Sequence, residues 1–74
     1  MSFGDKLSNE RKKKNITVRE LARLCGVSRS YITLIENNTR PPGKNMLPKL
    51  SRALKLSPAI IINWYLEDIR KKLV

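Results

Sequence analysis

Two helix starts separated by a glycine turn constrain this chain more than anything else in it. Thr17-Val18-Arg19-Glu20 has the spacing of a capping box. The Thr17 hydroxyl accepts from the Glu20 amide, and the Glu20 side chain reaches back to the Thr17 amide. Leu21, Leu24 and Cys25 follow at helical spacing. Gly26 ends this short helix at about residue 25. Ser28, a good N-cap, then opens another helix over about 29–37, with Ile32 and Ile35 on its buried side. Only Gly26-Val27-Ser28 lies between the two. Ala22 is small enough to let the helices approach, and Leu21, Cys25, Val27, Ile32 and Ile35 can lock the pair to the rest of the domain. The start of the second helix is polar: Arg29, Ser30 and Thr33 have no place in a core.

The flanking segments also read as helices. Phe3 and Leu7 stand four apart in a first helix over about 3–14, and Asn15 suits a left-handed C-terminal cap. Leu47, Leu50 and Leu54 mark a fourth helix over about 45–55. Pro48 is tolerable there because a first-turn amide has no partner to lose. Ser57-Pro58, a cap followed by proline at the first helical position, opens a last helix over about 58–72. That helix closes on Arg70-Lys71-Lys72, cations at the negative end of its dipole. Asn37 to Gly43 is the one long loop, stiffened by Pro41-Pro42. Nothing reads as a strand, so the expectation is all-α, five helices in one domain over 1–74.

Charge and composition narrow the function. Lys and Arg number 16 against 6 Asp and Glu, a net charge of +10. Such a balance suggests a polyanionic partner: DNA, RNA or an anionic membrane surface. The chain has no His and one Cys, which excludes imidazole bases, His-ligated metals, cysteine zinc cages and an intrachain disulfide. The six acidic residues are scattered, without paired carboxylates to hold a metal. No enzyme activity and no cofactor is expected. The apolar runs fall far short of the roughly 20 residues a membrane helix needs. A single unpaired thiol fits a reducing compartment, so the expected location is cytoplasmic, on the nucleoid. Cys25 lies at an apolar helical position and reads as core.

Residues 17–37 thus have helix-turn-helix geometry, in which the second helix can enter the major groove. The stretch from Ile16 to Asn37, with Glu20-Leu21-Ala22, Gly26-Val27-Ser28 and Ile35-Glu36-Asn37 in one register, resembles the phage-repressor/Cro type of helix-turn-helix, also called the XRE family. Leu47 to Ser57 is similar to that family's fourth helix and the start of its fifth. The resemblance spans about residues 3–66 and implies a compact five-helix domain like that of lambda repressor. It implies base reading by Arg29, Ser30 and Thr33, with Leu34 beside them. An arginine fork suits guanine O6 and N7, and an apolar group suits a thymine methyl. It implies phosphate contacts from Thr17, Val18 and Arg19 at a helix start, and from Asn37, Asn38, Arg40 and Lys44 in the following loop. It implies a structural ion pair between Arg11 and Glu36. Val18 stands where the family often has Gln, leaving only backbone to contact phosphate there. Asn15 and Asn38 replace frequent glycines and tolerate the same left-handed conformation.

Further expectations concern single side chains and the last helix. Arg23 and Lys14 are further candidates for the DNA face. Tyr31 either packs against the preceding helix or places its hydroxyl at a phosphate. On the last helix, Pro58, Ile61, Ile62, Tyr65 and Leu66 are expected to face the domain. Ile60, Trp64, Ile69 and Leu73 are left over as a partner surface. Repressors of this type commonly bind two half-sites, so the surface is assigned to a homodimer on a near-palindromic operator. The reading is a sequence-specific DNA-binding regulator, a repressor of transcription. Its rivals are an antitoxin, whose last helix also captures a toxin protein, and a protein-interaction module that has lost DNA binding.

Overall fold

Hydroxyl side chains set most of the helix starts. The computed structural model describes the backbone of residues 1–73 and the side chains of residues 1–71. Ser2 Oγ accepts from the Asp5 amide at 3.3 Å, Thr17 Oγ1 from Glu20 at 3.0 Å, and Ser28 Oγ from Tyr31 at 3.1 Å. Each satisfies an amide too early in its helix to have a backbone partner. These caps open α1 (Phe3–Lys13), α2 (Val18–Cys25) and α3 (Arg29–Glu36). Of the two reciprocal bonds of the expected capping box, only the Thr17 half is present among the described residues. The fourth helix, α4 (Met46–Leu54), starts without a side-chain cap, from a turn in which the Met46 amide reaches the Gly43 carbonyl at 2.9 Å. The fifth, α5 (Pro58–Leu73), follows Ser57, whose Oγ accepts from Ala59 at 3.3 Å. The five helices fall within one residue of their expected bounds, and no strand occurs among the described residues.

Every helix contributes at least one side chain to a single core. Leu7, Leu21, Ile32, Ile35, Leu50, Leu54 and Ile61 are fully buried. Each such side chain contributes about 1.5–3 kcal/mol. Turns with positive φ join the elements: Asn15 at 57°, Gly26 at 69°, Asn38 at 62° and Lys55 at 56°. Lys55 is the one of these that sequence reading did not anticipate.

The beginning of α1 lies against the end of α3. A Cβ on Gly4 would stand 2.7 Å from the Glu36 carbonyl oxygen, so only glycine allows this approach. The Gly4 amide donates to Asn38 Oδ1 at 3.0 Å. Deeper in the same contact, Arg11 Nε donates to Glu36 Oε2 at 2.7 Å and Nη2 to Oε1 at 3.0 Å. Arg11 Nη1 also donates to the Ile16 carbonyl at 2.8 Å. This bidentate pair ties the end of α1 to the end of α3.

The last helix presents a different face from the one expected. Its inward side runs Ile61, Trp64, Tyr65 and Asp68 at offsets of zero, three, four and seven. Trp64, expected at the surface, packs on the core with its ring edge toward Phe3, centroids 6.1 Å apart. The Asp68 carboxylate accepts the Phe3 amide from both oxygens, at 3.1 and 3.0 Å. The start of α1 therefore offers both a ring and free amides, and these select the register of α5. Ile62 and Leu66, expected inward, are turned to solvent in consequence, 43% and 47% exposed. Ile60 and Ile69 are exposed as well. The side chain of Leu73 lies outside the described residues.

Candidate nucleic-acid interface

The starts of α2 and α3 emerge on one side of the domain because the Gly26 turn sets the two helices at an angle. The αL conformation of Gly26 lets the Val27 amide return to the Ala22 carbonyl at 3.0 Å. A groove of about 710 Å³ lies between the two helix starts. Its lining is Thr17, Val18, Arg19, Arg29, Ser30, Thr33 and Leu34. The structure thus brings the four residues assigned to bases together with three assigned to phosphates. Arg19, Arg29, Ser30 and Thr33 are exposed, whereas Val18 is half-buried and packs against the core. Val18 and Leu34 give this otherwise polar groove an apolar wall. Leu24, on the outer side of α2, is exposed beyond it.

The loop after α3 carries the remaining assigned residues, and its side chains divide. Thr39 and Arg40 hang by their amides from the Leu34 carbonyl, at 3.0 and 3.2 Å. Arg40 and Lys44 are exposed, as is Asn37. Asn38, assigned to a phosphate, directs its side-chain oxygen to the Gly4 amide instead. Lys14, a further candidate for the DNA face, bonds the Leu54 carbonyl at the end of α4 and pairs with Glu10 at 3.3 Å. It caps a helix end rather than facing a ligand. Tyr31 packs against the core, and its Oη accepts the Gly43 amide at 3.2 Å. No sequence signal marked that bond, because it joins residues twelve apart across an irregular loop.

Among the described residues, the cations around the groove and the loop are not drawn into ion pairs. The ion pairs of the described residues join Lys6 to Glu67, Arg11 to Glu36, and Lys13 and Lys14 to Glu10. None involves Arg19, Arg29, Arg40 or Lys44. These four cations stand exposed around the groove and loop with no carboxylate partner among the described residues, a potential suited to an anion. Two further observations concern other chemistries. Among the described residues no group of three or more His, Cys, Asp or Glu converges on a metal position. No described helix is long and apolar enough to cross a membrane.

Comparison with known proteins agrees with this geometry. The profile of the family described as Helix-turn-helix matches residues 7–61. The HTH-type transcriptional repressor RghR of Bacillus subtilis is 41% identical over 56 residues, which are 74% of this chain and 42% of that protein. The chain spans 41–56% of the length of the curated relatives it matches. Among solved structures, the P22 c2 repressor in complex with a synthetic operator superposes with a TM-score of 0.76 at 31% identity. That match covers 82% of this chain and 92% of the repressor. The restriction-modification controller protein C.AhdI of Aeromonas hydrophila gives 0.76 at 32% identity, over 80% of this chain and 89% of the controller. Five helices, a glycine turn between two capped ones and an exposed polar start on the second place this chain in the helix-turn-helix family of the phage-repressor/Cro type.

Proposed function

We propose that this chain is a sequence-specific DNA-binding regulator that represses transcription by occupying an operator. The observation that carries this reading is the groove in which the starts of α2 and α3 present Arg19, Arg29, Ser30 and Thr33 to solvent, unpaired and side by side. In this reading α3 lies in the major groove. Arg29 takes guanine through its fork, Ser30 and Thr33 bond neighbouring base edges, and Leu34 meets a thymine methyl. The amide end of α2 at Thr17 to Arg19, with Asn37, Arg40 and Lys44, holds phosphates and sets the register. The fold comparison supports it, since the P22 c2 repressor was crystallised on an operator. The work is done on the nucleoid, in the cytoplasm.

Operator binding in this reading is dimeric, through the outer face of α5. Ile62, Leu66 and Ile69 form a stripe at offsets of zero, four and seven, all exposed, whereas Ile60, two positions before Ile62, stands on another side of the helix. An apolar stripe on a helix surface is stable in water when a second copy covers it. Two copies related by a two-fold axis then present two α3 helices to successive major-groove turns.

Titration of the chain into duplexes selected from a random pool tests the reading. Arg29→Ala is expected to weaken cognate binding by about 1–3 kcal/mol and to relax preference at one base pair. Unchanged affinity and preference would remove α3 from the reading role.

A further inference from the structure

Tyr31 belongs to the reading helix, yet it does not line the reading groove. Its ring is half-buried against the core and turned toward the loop after α3. Two contacts fix the loop to it. The phenol oxygen accepts the Gly43 amide at 3.2 Å, and the Arg40 guanidinium carbon stands 5.3 Å from the ring centroid. One side chain therefore holds both ends of the Pro41-Pro42 segment: Arg40 on its near side, and Gly43, next to Lys44, on its far side.

Each contact has a consequence for an anion. A guanidinium stacked on an aromatic face loses rotamer freedom in advance and keeps its N–H edges free for phosphate oxygens. Arg40 has no carboxylate partner to compete for those edges among the described residues. A phenol that accepts from an amide keeps its own proton to donate.

We propose that Tyr31 is a positioning residue that locks the phosphate-holding loop to the reading helix, so that Arg40 and Lys44 meet the DNA backbone at a distance fixed by α3. The proposal rests on the DNA-binding reading above and assigns the loop its rigidity. Tyr31 acts on backbone affinity, which every sequence shares, and not on the choice of base.

The test compares Tyr31→Phe and Tyr31→Leu with the unaltered chain. Tyr31→Phe keeps the ring and the Arg40 stack and removes only the hydroxyl. It is expected to melt close to the unaltered chain, to exchange the Gly43 amide faster, and to bind cognate and random duplexes more weakly by one common factor. That factor is about 2- to 10-fold, the scale of one net hydrogen bond. Tyr31→Leu also removes the ring, and its slope of log affinity against log salt should fall by about one as Arg40 loses its platform. Tyr31→Phe binding both duplexes with unaltered affinity overturns the proposal. A loss confined to the cognate duplex also overturns it, because Tyr31 would then be reading a base. Should Tyr31→Leu not fold, Tyr31→Phe alone decides. An unaltered chain that binds no duplex overturns the DNA-binding reading itself, and shows this before any substitution is compared.

Discussion

Arg29, Gly4 and Cys25 show how differently single residues serve this molecule. Arg29 is exposed and unpaired at the first position of α3, so its substitution is expected to spare the fold and, in the proposed reading, to act on DNA binding alone. Gly4 touches no ligand, yet it has no room for a side chain: a Cβ there would stand 2.7 Å from the Glu36 carbonyl oxygen. Gly4→Ala must push α1 away from α3, and about 1–3 kcal/mol of stability is expected to be lost in thermal or urea melts. Cys25 is buried in α2, and burial pushes its thiol above its ordinary value of 9.0, outweighing the nearby Lys49 charge, which lowers it. In the unfolded chain the thiol ionises at its ordinary value. Rising pH therefore favours the unfolded chain from about that value upward, and stability falls on the alkaline side. Urea melts from pH 8 to about 10.5 should show this decline in the unaltered chain and a shallower one in Cys25→Ala. The native thiol should resist alkylation until the chain unfolds.

At the scale of elements, α2, α3 and α5 were legible because their starts carry explicit signals, and α1 and α4 from the spacing of their apolar residues. Thr17, Ser28 and Ser57 are caps that any chain of this composition would use. Apolar spacing named the core side of α3 and α4, whereas in α2 it included Leu24, which is exposed, beside the buried Leu21 and Cys25. The face of α5 was not legible, because Ile60, Ile61, Ile62, Trp64, Tyr65 and Leu66 leave almost no polar position to mark an outside. Its orientation comes from α1, where Phe3 supplies a ring to Trp64 and an amide to Asp68. Such a choice depends on residues more than sixty positions away. In the site, Arg29, Ser30 and Thr33 were legible from the polar start of α3, while Thr17, Val18, Arg19 and Leu34 came from the resemblance to the family. The diversion of Asn38 to Gly4 and of Lys14 to Leu54 was not, since both depend on which helix ends meet in space. The joint between α1 and α3 makes a prediction of its own. Arg11 and Glu36 side chains are only 10% and 9% exposed. Arg11→Ala leaves a buried carboxylate unpaired and strips the Ile16 carbonyl of its donor. About 3–5 kcal/mol should be lost in denaturant unfolding, enough to unfold many small domains. Replacing both partners with apolar residues of similar volume should recover most of it.

For the whole molecule, the net charge of +10 and the apolar stripe on α5 describe two separate surfaces. In the proposed reading the charge draws the domain to any duplex, and the groove between α2 and α3 selects among duplexes. In the same reading the stripe joins two domains. Leu66→Asp places a carboxylate in the middle of that stripe without disturbing Ile61, Trp64 or the core. Sedimentation is expected to show the unaltered chain as a dimer and Leu66→Asp as a monomer with an unchanged far-UV spectrum. An unaltered chain that stays monomeric at high concentration contradicts the α5 dimer and leaves the reading groove intact. Trp64→Ala is a different perturbation, since it removes the partner of Phe3 and lowers stability directly.

Selection of bound sequences from a random duplex pool, run in parallel on the unaltered chain and on Arg29→Ala, shows whether the start of α3 reads bases. The predicted result is an enriched site built as a two-fold repeat, with a guanine in each half whose enrichment disappears in Arg29→Ala. A pool that emerges without an enriched sequence, or a site that both chains select identically, would contradict the claim that the exposed start of α3 reads DNA.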